Sequence, residues 1–167
     1  MRLLLVCLGN ICRSPTAEAA VREALAQAGV TAGVEVDSAG LGDWHIGCPP
    51  DERMIAAAGA VGLRLEGKAR LFQREDFDKF DLILVMDREN LAGVLALAPD
   101  AAASARVALF REFEDAADAE EVPDPYYGGE QGFARVVEIA RAGARGLVRQ
   151  LIDGGLDERA RHRLPGR

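Results

Sequence analysis

The residues of this sequence that are best suited to chemistry lie close to its start. Cys7 is followed by five further residues and then by Arg13, with Ser14 directly after it. A thiolate is a strong nucleophile, and a guanidinium can bind two oxygens of one phosphate group at the same time. Short motifs also match by chance, but here an apolar run precedes the motif and a segment of helical periodicity follows it. The pattern indicates a nucleophilic cysteine in a loop that binds phosphate.

The residues between Cys7 and Arg13 favour a tight loop. Gly9 and Asn10 readily adopt positive φ, which a loop needs in order to turn successive backbone N–H groups inward. Such amides, with the positive end of the following helix dipole, form a site for a phosphate dianion and stabilise a thiolate. The phosphate is then expected to be bound by Arg13 together with Leu8, Gly9, Asn10, Ile11, Cys12 and Ser14. The plainer alternative makes Cys7 a buried strand residue and Arg13 a surface residue of a helix.

Apolar periodicity divides the chain into alternating strands and helices. Strands are expected at 2–7, 34–37, 81–86 and 106–110. The first helix is expected to begin with Ser14 as its N-cap and to end at Gly29, and further helices are expected at 50–60, 88–97 and 130–152. Alternation of this kind predicts parallel βαβ units, and hence one α/β domain of three layers around a roughly four-stranded parallel sheet.

Parallel sheets bind their ligands beyond the carboxyl ends of the strands. Cys7 ends the first predicted strand, so the phosphate-binding loop after that strand lies where a site is expected. We expect the domain to span residues 1–153. Residues 154–167 begin with two glycines and finish with basic residues, a composition that predicts a flexible C-terminal tail.

Composition and charge exclude several classes of protein. The 167 residues are 49% hydrophobic and carry a net charge of −7, which disfavours nucleic acid as a partner because phosphate backbones attract the opposite charge. No apolar stretch is long enough to span a membrane, and the opening apolar run is too short for a signal peptide. We therefore expect a cytoplasmic protein. Three cysteines and two histidines indicate neither a disulfide scaffold nor a zinc site, so we expect no metal and no cofactor.

Two longer motifs extend the pattern around Cys7. The run at 6–18, Val-Cys-Leu-Gly-Asn-Ile-Cys-Arg-Ser-Pro-Thr-Ala-Glu, resembles the N-terminal signature of the low-molecular-weight protein tyrosine phosphatases. Asp-Pro-Tyr-Tyr-Gly at 124–128 resembles the second signature of that family, and positions 38–40, 43–44, 47, 50–51 and 86–91 also match. The resemblance covers residues 1–153.

The resemblance implies a role for each matched residue. Cys7 would be the nucleophile that forms a phosphocysteine, Arg13 would clamp the phosphate, and Asp124 would act first as general acid and then as general base. Asn10 and Ser38 would hold the loop in shape by hydrogen bonds, and the walls around a substrate ring would be formed by Trp44, Tyr126 and Tyr127. The substrates would be tyrosine-phosphorylated proteins, and the enzyme a monomer or a weak dimer. The residues alone do not single out Asp124, because Asp-Pro is equally a turn signal.

Cys12 lies in the same tight loop as Cys7. A stabilised thiolate is the preferred target of peroxide. We therefore expect Cys12 to act in redox protection, by forming a reversible disulfide with Cys7.

The chain departs from the family pattern at a few positions, and three other functions compete with the phosphatase. Members of the family often have His at the position of Gly67 and Gln at that of Leu71, while His45 and Cys48 replace commoner residues in a loop at the cleft mouth. We interpret His45 as an ordinary surface residue.

An arsenate reductase would need further redox cysteines, a protein arginine phosphatase typically has Thr at the position of Ile11, and a phosphopeptide-binding module would not need Asp124.

Overall fold

Four parallel strands form one sheet in the order β2-β1-β3-β4. A computed structural model describes residues 1–156 of the chain. The strands are β1 (Arg2–Cys7), β2 (Glu35–Gly40), β3 (Leu82–Val85) and β4 (Val107–Leu109). The helices are α1 (Arg13–Gln27), α2 (Glu52–Gly59), α3 (Asp76–Lys79), α4 (Arg88–Leu97), α5 (Ala101–Ser104) and α6 (Glu130–Ile152), with a 3₁₀ turn at Phe110–Phe113. The α/β class and the four-stranded parallel sheet are confirmed.

The central strand β1 divides the core into two layers. Its side chains alternate between the faces of the sheet, and all of them from Leu3 to Cys7 are buried. Leu3, Leu5 and Cys7 join the larger cluster, which packs α1 and α6 against the sheet. Leu4 and Val6 join the smaller cluster, which contains Val94 of α4. The sulfur of Cys7 is therefore presented on the side of the sheet that α1 and α6 cover.

The predicted ends of the strands and helices agree with the structure where the sequence has a long periodic pattern, and they differ from it elsewhere. The first strand and the last helix coincide with the prediction. Strand β2 continues to Gly40 rather than ending at 37, because Ala39 and Gly40 pair with Val6 and Cys7 of β1. The short elements α3, α5 and Phe110–Phe113 were not predicted, since a single turn carries no periodicity to read.

The start of α1 differs from the prediction in a way that matters for the site. The helix begins at Arg13, so its N-cap is Cys12 and not Ser14. The Ser14 hydroxyl instead contacts the Cys7 sulfur and the Asn10 amide. At the other end of α1, Gly29 has a φ of 70° and ends the helix as expected.

The end of the packed region lies beyond the expected boundary at 153. Leu156 is 4% exposed and belongs to the larger core cluster. The remainder of the expected tail, 157–167, lies outside the described residues. No helix among residues 1–156 is long and apolar enough to cross a membrane.

Two glycines of α6 allow this helix to approach the 3₁₀ turn closely. A Cβ at Gly143 would lie 2.5 Å from Cε1 of Phe110, and one at Gly146 would lie 1.7 Å from the carbonyl oxygen of Phe113. The second contact involves backbone, which cannot rotate away. The 3₁₀ turn that follows β4 can therefore pack this closely against α6 only because residue 146 is glycine.

The close contact at Gly146 predicts that replacing this glycine by alanine, a change that usually stabilises a helix, will destabilise the protein. Gly→Ala inside a helix usually stabilises by about 1 kcal/mol, but Gly146→Ala should lower the free energy of unfolding by about 1–3 kcal/mol through overpacking. Gly59→Ala in α2 is the matched control, because no atom from elsewhere in the fold lies within 4 Å of the Cβ that it would gain. Urea denaturation of both variants measures the difference. A Gly146→Ala protein as stable as Gly59→Ala would contradict the packing argument.

Candidate active site

Cys7 opens into a cavity of about 280 Å³ at the carboxyl end of β1. The residue itself is 2% exposed, so substrate can reach its sulfur only through this cavity. The lining combines the residues between the first strand and first helix with others distant in sequence. These residues are Cys7, Leu8, Gly9, Ile11, Cys12, Arg13, Trp44, His45, Asp124, Tyr126 and Tyr127.

Two hydrogen bonds hold the Cys7 sulfur. The backbone N–H of Asn10 donates to Sγ at 3.2 Å, and the hydroxyl oxygen of Ser14 lies 3.1 Å from it. The first bond is possible because Asn10 has a φ of 55°, which turns its amide back towards the start of the loop. Both contacts come from the loop and the first turn of α1, so they fix the sulfur at the base of the loop.

The side chain of Asn10 fixes the loop from behind. Its Oδ1 accepts from the backbone N–H of Arg70 at 2.9 Å, which establishes which end of the carboxamide is oxygen. Its Nδ2 then donates to the hydroxyls of Ser14 and Ser38, both at 2.9 Å. The Ser38 hydroxyl donates a hydrogen bond to the Glu18 carboxylate at 2.7 Å. Asn10 and Ser38 thus lie together, as the resemblance implied, and the sequence had not indicated Glu18 or Arg70.

This donor arrangement leaves the Ser14 hydrogen available for the sulfur. Ser14 accepts from Asn10, and its single hydrogen remains free to donate to another acceptor. Its two acceptors are Cys7 Sγ at 3.1 Å and the carbonyl oxygen of Ala39 at 3.4 Å. A thiolate is both the closer acceptor and, because it is charged, the stronger one.

Arg13 is a buried cation held by two carboxylates. Its NH2 donates to Asp124 at 2.9 Å, and its NH1 donates to Asp87 and to the carbonyl oxygen of Val122. Burial alone would lower the pKa of Arg13, but the negative charges of Cys7, Asp87 and Asp124 outweigh burial and raise this pKa above its ordinary value. Among the described residues, the buried Nε of Arg13 has no hydrogen-bond partner. The guanidinium is therefore charged and keeps one donor for an anion.

Asp87 is a functional residue that sequence analysis missed. It directly precedes α4 and caps this helix by accepting from Asn90 N–H at 2.6 Å. Its other carboxylate oxygen orients Arg13. The sequence feature that could have identified Asp87 was its position just after a parallel strand, at the same edge of the sheet as Cys7.

Asp124 lies on a compact turn at the cavity wall. One of its carboxylate oxygens accepts from Tyr126 N–H at 3.1 Å and the other pairs with Arg13. The turn closes by a bond from Gly128 N–H to the carbonyl oxygen of Pro125 at 2.9 Å. The side chain of Asp124 is 44% exposed, so it is accessible to a substrate atom and to water.

Aromatic side chains form the rim of the cavity. Trp44 is 61% exposed and Tyr127 is 97% exposed, and the rings of Tyr126 and Tyr127 meet edge to face at 5.0 Å. The three expected wall residues therefore surround one opening. Their rings are exposed enough to be available for contact with another aromatic group.

His45 is also part of this rim. Its ring centroid lies 6.2 Å from that of Trp44 and 6.3 Å from that of Tyr126. It also packs over Gly9, where a Cβ would lie 3.1 Å from the His45 ring. A Cβ at position 9 would require this ring to shift by a few tenths of an ångström.

The two loop cysteines differ chemically. Burial, followed by the negative charges of Asp51, Cys7 and Asp124, raises the pKa of Cys12 to about 12. Cys12 is therefore a neutral thiol at physiological pH. Cys48 is exposed and does not line the cavity. Within residues 1–156, no three side chains of the metal-binding types cluster closely enough to hold an ion.

Comparison with known proteins agrees with this arrangement. The family model described as low molecular weight phosphotyrosine protein phosphatase matches residues 2–155. The chain is 41% identical over 158 residues to a low molecular weight protein-tyrosine-phosphatase of Streptomyces coelicolor, covering 92% of this chain and 96% of that protein. A relative of the same description from Bacillus subtilis is 40% identical over 147 residues, covering 87% and 92%.

A solved structure shares the fold as well as the sequence. The crystal structure of a protein tyrosine phosphatase from Entamoeba histolytica superimposes with a TM-score of 0.90 at 37% identity. The alignment covers 93% of this chain and 99% of that one. With the family model matching nearly the whole described region, the conclusion is direct: this chain belongs to the low molecular weight phosphotyrosine protein phosphatase family.

Proposed function

We propose that this protein hydrolyses phosphotyrosine in proteins through a phosphocysteine on Cys7. One observation carries the proposal: a single cavity brings together the hydrogen-bonded Cys7 sulfur, the free Nε donor of buried Arg13 and the accessible carboxylate of Asp124. A nucleophile, an anion clamp and a proton donor are the three groups that this chemistry needs. No step requires a metal ion or a cofactor.

In the first step, the Cys7 thiolate attacks the phosphorus atom of the bound dianion. The P–S bond forms as the bond from phosphorus to the phenolic oxygen breaks, and Asp124 in its protonated form gives its proton to that oxygen. Arg13 binds two phosphate oxygens and stabilises the charge that they share in the transition state. The products of the step are the free tyrosine side chain and the phosphocysteine.

In the second step, water displaces the thiolate. Asp124, now ionised, accepts a proton from the attacking water, and the P–S bond breaks to release inorganic phosphate. The departing sulfur regains its negative charge, which the hydroxyl of Ser14 and the amide of Asn10 stabilise by hydrogen bonds. The enzyme returns to its starting form with Asp124 protonated.

The rim favours tyrosine over shorter side chains. The Cys7 sulfur is buried at the bottom of the cavity, so a phosphate reaches it only on a side chain as long as the cavity is deep. Trp44 and Tyr126 can pack against a phenyl ring, which is worth about 0.5–1.5 kcal/mol beyond area burial. Ile11 adds an apolar surface to the cavity wall.

We also propose that Cys12 protects Cys7 from oxidation. Peroxide would convert the Cys7 thiolate to a sulfenic acid. The Cys12 thiol of the same loop would then give up its proton, and its sulfur would displace the hydroxyl group from Cys7, so that water leaves and a disulfide forms. External thiols would then restore both cysteines. The disulfide would stop Cys7 from proceeding to its irreversible oxidised forms.

The first prediction separates the two cysteines. Cys7→Ser should abolish measurable turnover while phosphate binding persists, because the loop amides and Arg13 remain. Cys12→Ser should retain at least about a tenth of the turnover, since Cys12 touches no reacting atom, but mild peroxide should then inactivate it irreversibly. Aryl phosphate hydrolysis, before and after peroxide and thiol treatment, measures both effects. Comparable activity in the two variants would remove Cys7 from the mechanism.

A second prediction tests Asp124 through the leaving group. Positioned acids contribute about 10²–10⁴-fold, so Asp124→Asn should lower kcat by that range on phenyl phosphate. The loss should be much smaller on p-nitrophenyl phosphate, whose leaving group departs without a proton. Steady-state kinetics on both substrates gives the ratio. Equal losses would assign Asp124 to structure rather than to proton transfer.

A third prediction concerns the choice of substrate. Phosphotyrosine peptides should be hydrolysed faster than phosphoarginine peptides, and phosphoserine peptides should barely react. Ile11→Thr should narrow the gap between the first two, because it replaces an apolar contact by a hydroxyl that suits a guanidinium. The values of kcat/KM on matched peptides decide the order. A wild-type preference for phosphoarginine would overturn the tyrosine assignment and leave the cysteine chemistry standing.

A further inference from the structure

Arg53 on α2 connects the loop that holds the nucleophile to the turn that holds the acid. Its side chain donates to Asp51, from Nε at 3.0 Å and from NH2 at 2.8 Å, while NH1 donates to the carbonyl oxygen of Tyr126 at 3.1 Å. Asp51 in turn donates its backbone N–H to the carbonyl oxygen of Ile11 at 2.8 Å. A continuous path of hydrogen bonds therefore runs from the loop to the turn.

The Arg53 guanidinium also lies close to two aromatic rings. Its central carbon lies 5.2 Å from the ring centroid of Tyr126 and 4.7 Å from that of Phe133. Phe133 is buried in α6, whereas the Arg53 side chain is 49% exposed. The backbone N–H of Tyr126 binds Asp124, so the bonds and ring contacts of Arg53 reach the residue that holds the acid.

The contact between Arg13 and Asp124 cannot position the acid during the reaction. In the proposed mechanism Arg13 gives its donors to the phosphate, and Asp124 must turn its protonated oxygen towards the leaving group. The bond from Arg53 to the Tyr126 carbonyl oxygen involves neither of these groups. The hydrogen bond from Arg53 to Tyr126 is therefore kept when Arg13 binds phosphate and no longer pairs with Asp124.

We propose that Arg53 is a positioning residue, which sets the distance between the acid turn and the nucleophile loop while the leaving group is protonated. The inference rests on the proposed roles of Cys7 and Asp124. Arg53 touches no reacting atom, so its effect reaches the chemistry only through Tyr126 and Asp124. Its loss should therefore impair the step that needs the proton and leave the attack of Cys7 largely intact.

A substrate pair and a matched control test this inference. Arg53→Ala should lower kcat about tenfold on phenyl phosphate and less than about threefold on p-nitrophenyl phosphate, a fraction of the full contribution of a positioned acid. KM should change little, because the phosphate site is untouched. The control is Arg141→Ala: Arg141 likewise joins a carboxylate, Glu23, to a backbone carbonyl oxygen, that of Val61. Its loss should affect both substrates equally.

Further variants keep the test decisive. If Arg53→Ala does not fold, Arg53→Lys serves instead, since lysine keeps the charge but lacks the fork that reaches Asp51 and Tyr126 together. In an Asp124→Asn background, Arg53→Ala should add no further loss that is selective for phenyl phosphate. Equal losses on both substrates for the Arg53 variant, or a selective loss for Arg141→Ala, would overturn the inference. An Asp124→Asn variant without selectivity would instead refute the proposed acid.

Discussion

The site depends on one backbone conformation, the positive φ of Asn10. This conformation turns the Asn10 amide onto the Cys7 sulfur and the rest of the loop around the same point. Non-glycine residues rarely hold positive φ without support, and the support here is the fully bonded Asn10 carboxamide. Its three hydrogen bonds reach Ser14 of α1, Ser38 of β2 and the backbone of Arg70. The strained residue is thus held by hydrogen bonds to three separate parts of the chain.

The second constraint is the buried charge of Arg13. A buried unpaired cation is strongly unfavourable, and the fold meets this demand with Asp87 at the end of β3 and Asp124 on a distant turn. Both carboxylates come to the carboxyl edge of the sheet, where the phosphate is expected. A phosphate dianion can replace Asp124 as a partner of Arg13, and the proposed proton transfer needs Asp124 protonated and turned towards the leaving group rather than paired with Arg13. The ion pair therefore compensates the buried charge of Arg13 and has to open for the proposed chemistry.

Rim and floor of the cavity serve different purposes. The floor is built from buried groups, Cys7 and Arg13, and each of them is held by several hydrogen bonds. The rim consists of aromatic rings that contact one another in sequence, Trp44 with His45, His45 with Tyr126 and Tyr126 with Tyr127, and Trp44 and Tyr127 are exposed. Arg53 is not among the residues that line the cavity, and it bonds to Asp51 and to the carbonyl oxygen of Tyr126. Differences in substrate preference can therefore arise in the rim without disturbing the floor.

The sequence by itself determined the sheet, the nucleophile loop and the family, because these depend on local patterns. The apolar alternation of β1, the glycine and asparagine of the loop and the helical repeat of α6 are all properties of neighbouring residues. Tertiary structure alone decided which of the many carboxylates and arginines act together. Asp87, Glu18, Arg53 and Arg70 come from separate parts of the chain, and their local sequence does not show that they bond to Arg13, Ser38, Tyr126 and Asn10. The surroundings of His45 were likewise decided by folding, which brings Gly9 and Tyr126 beside it. Contacts between distant residues follow from how the layers pack, and a single sequence carries no local trace of that packing.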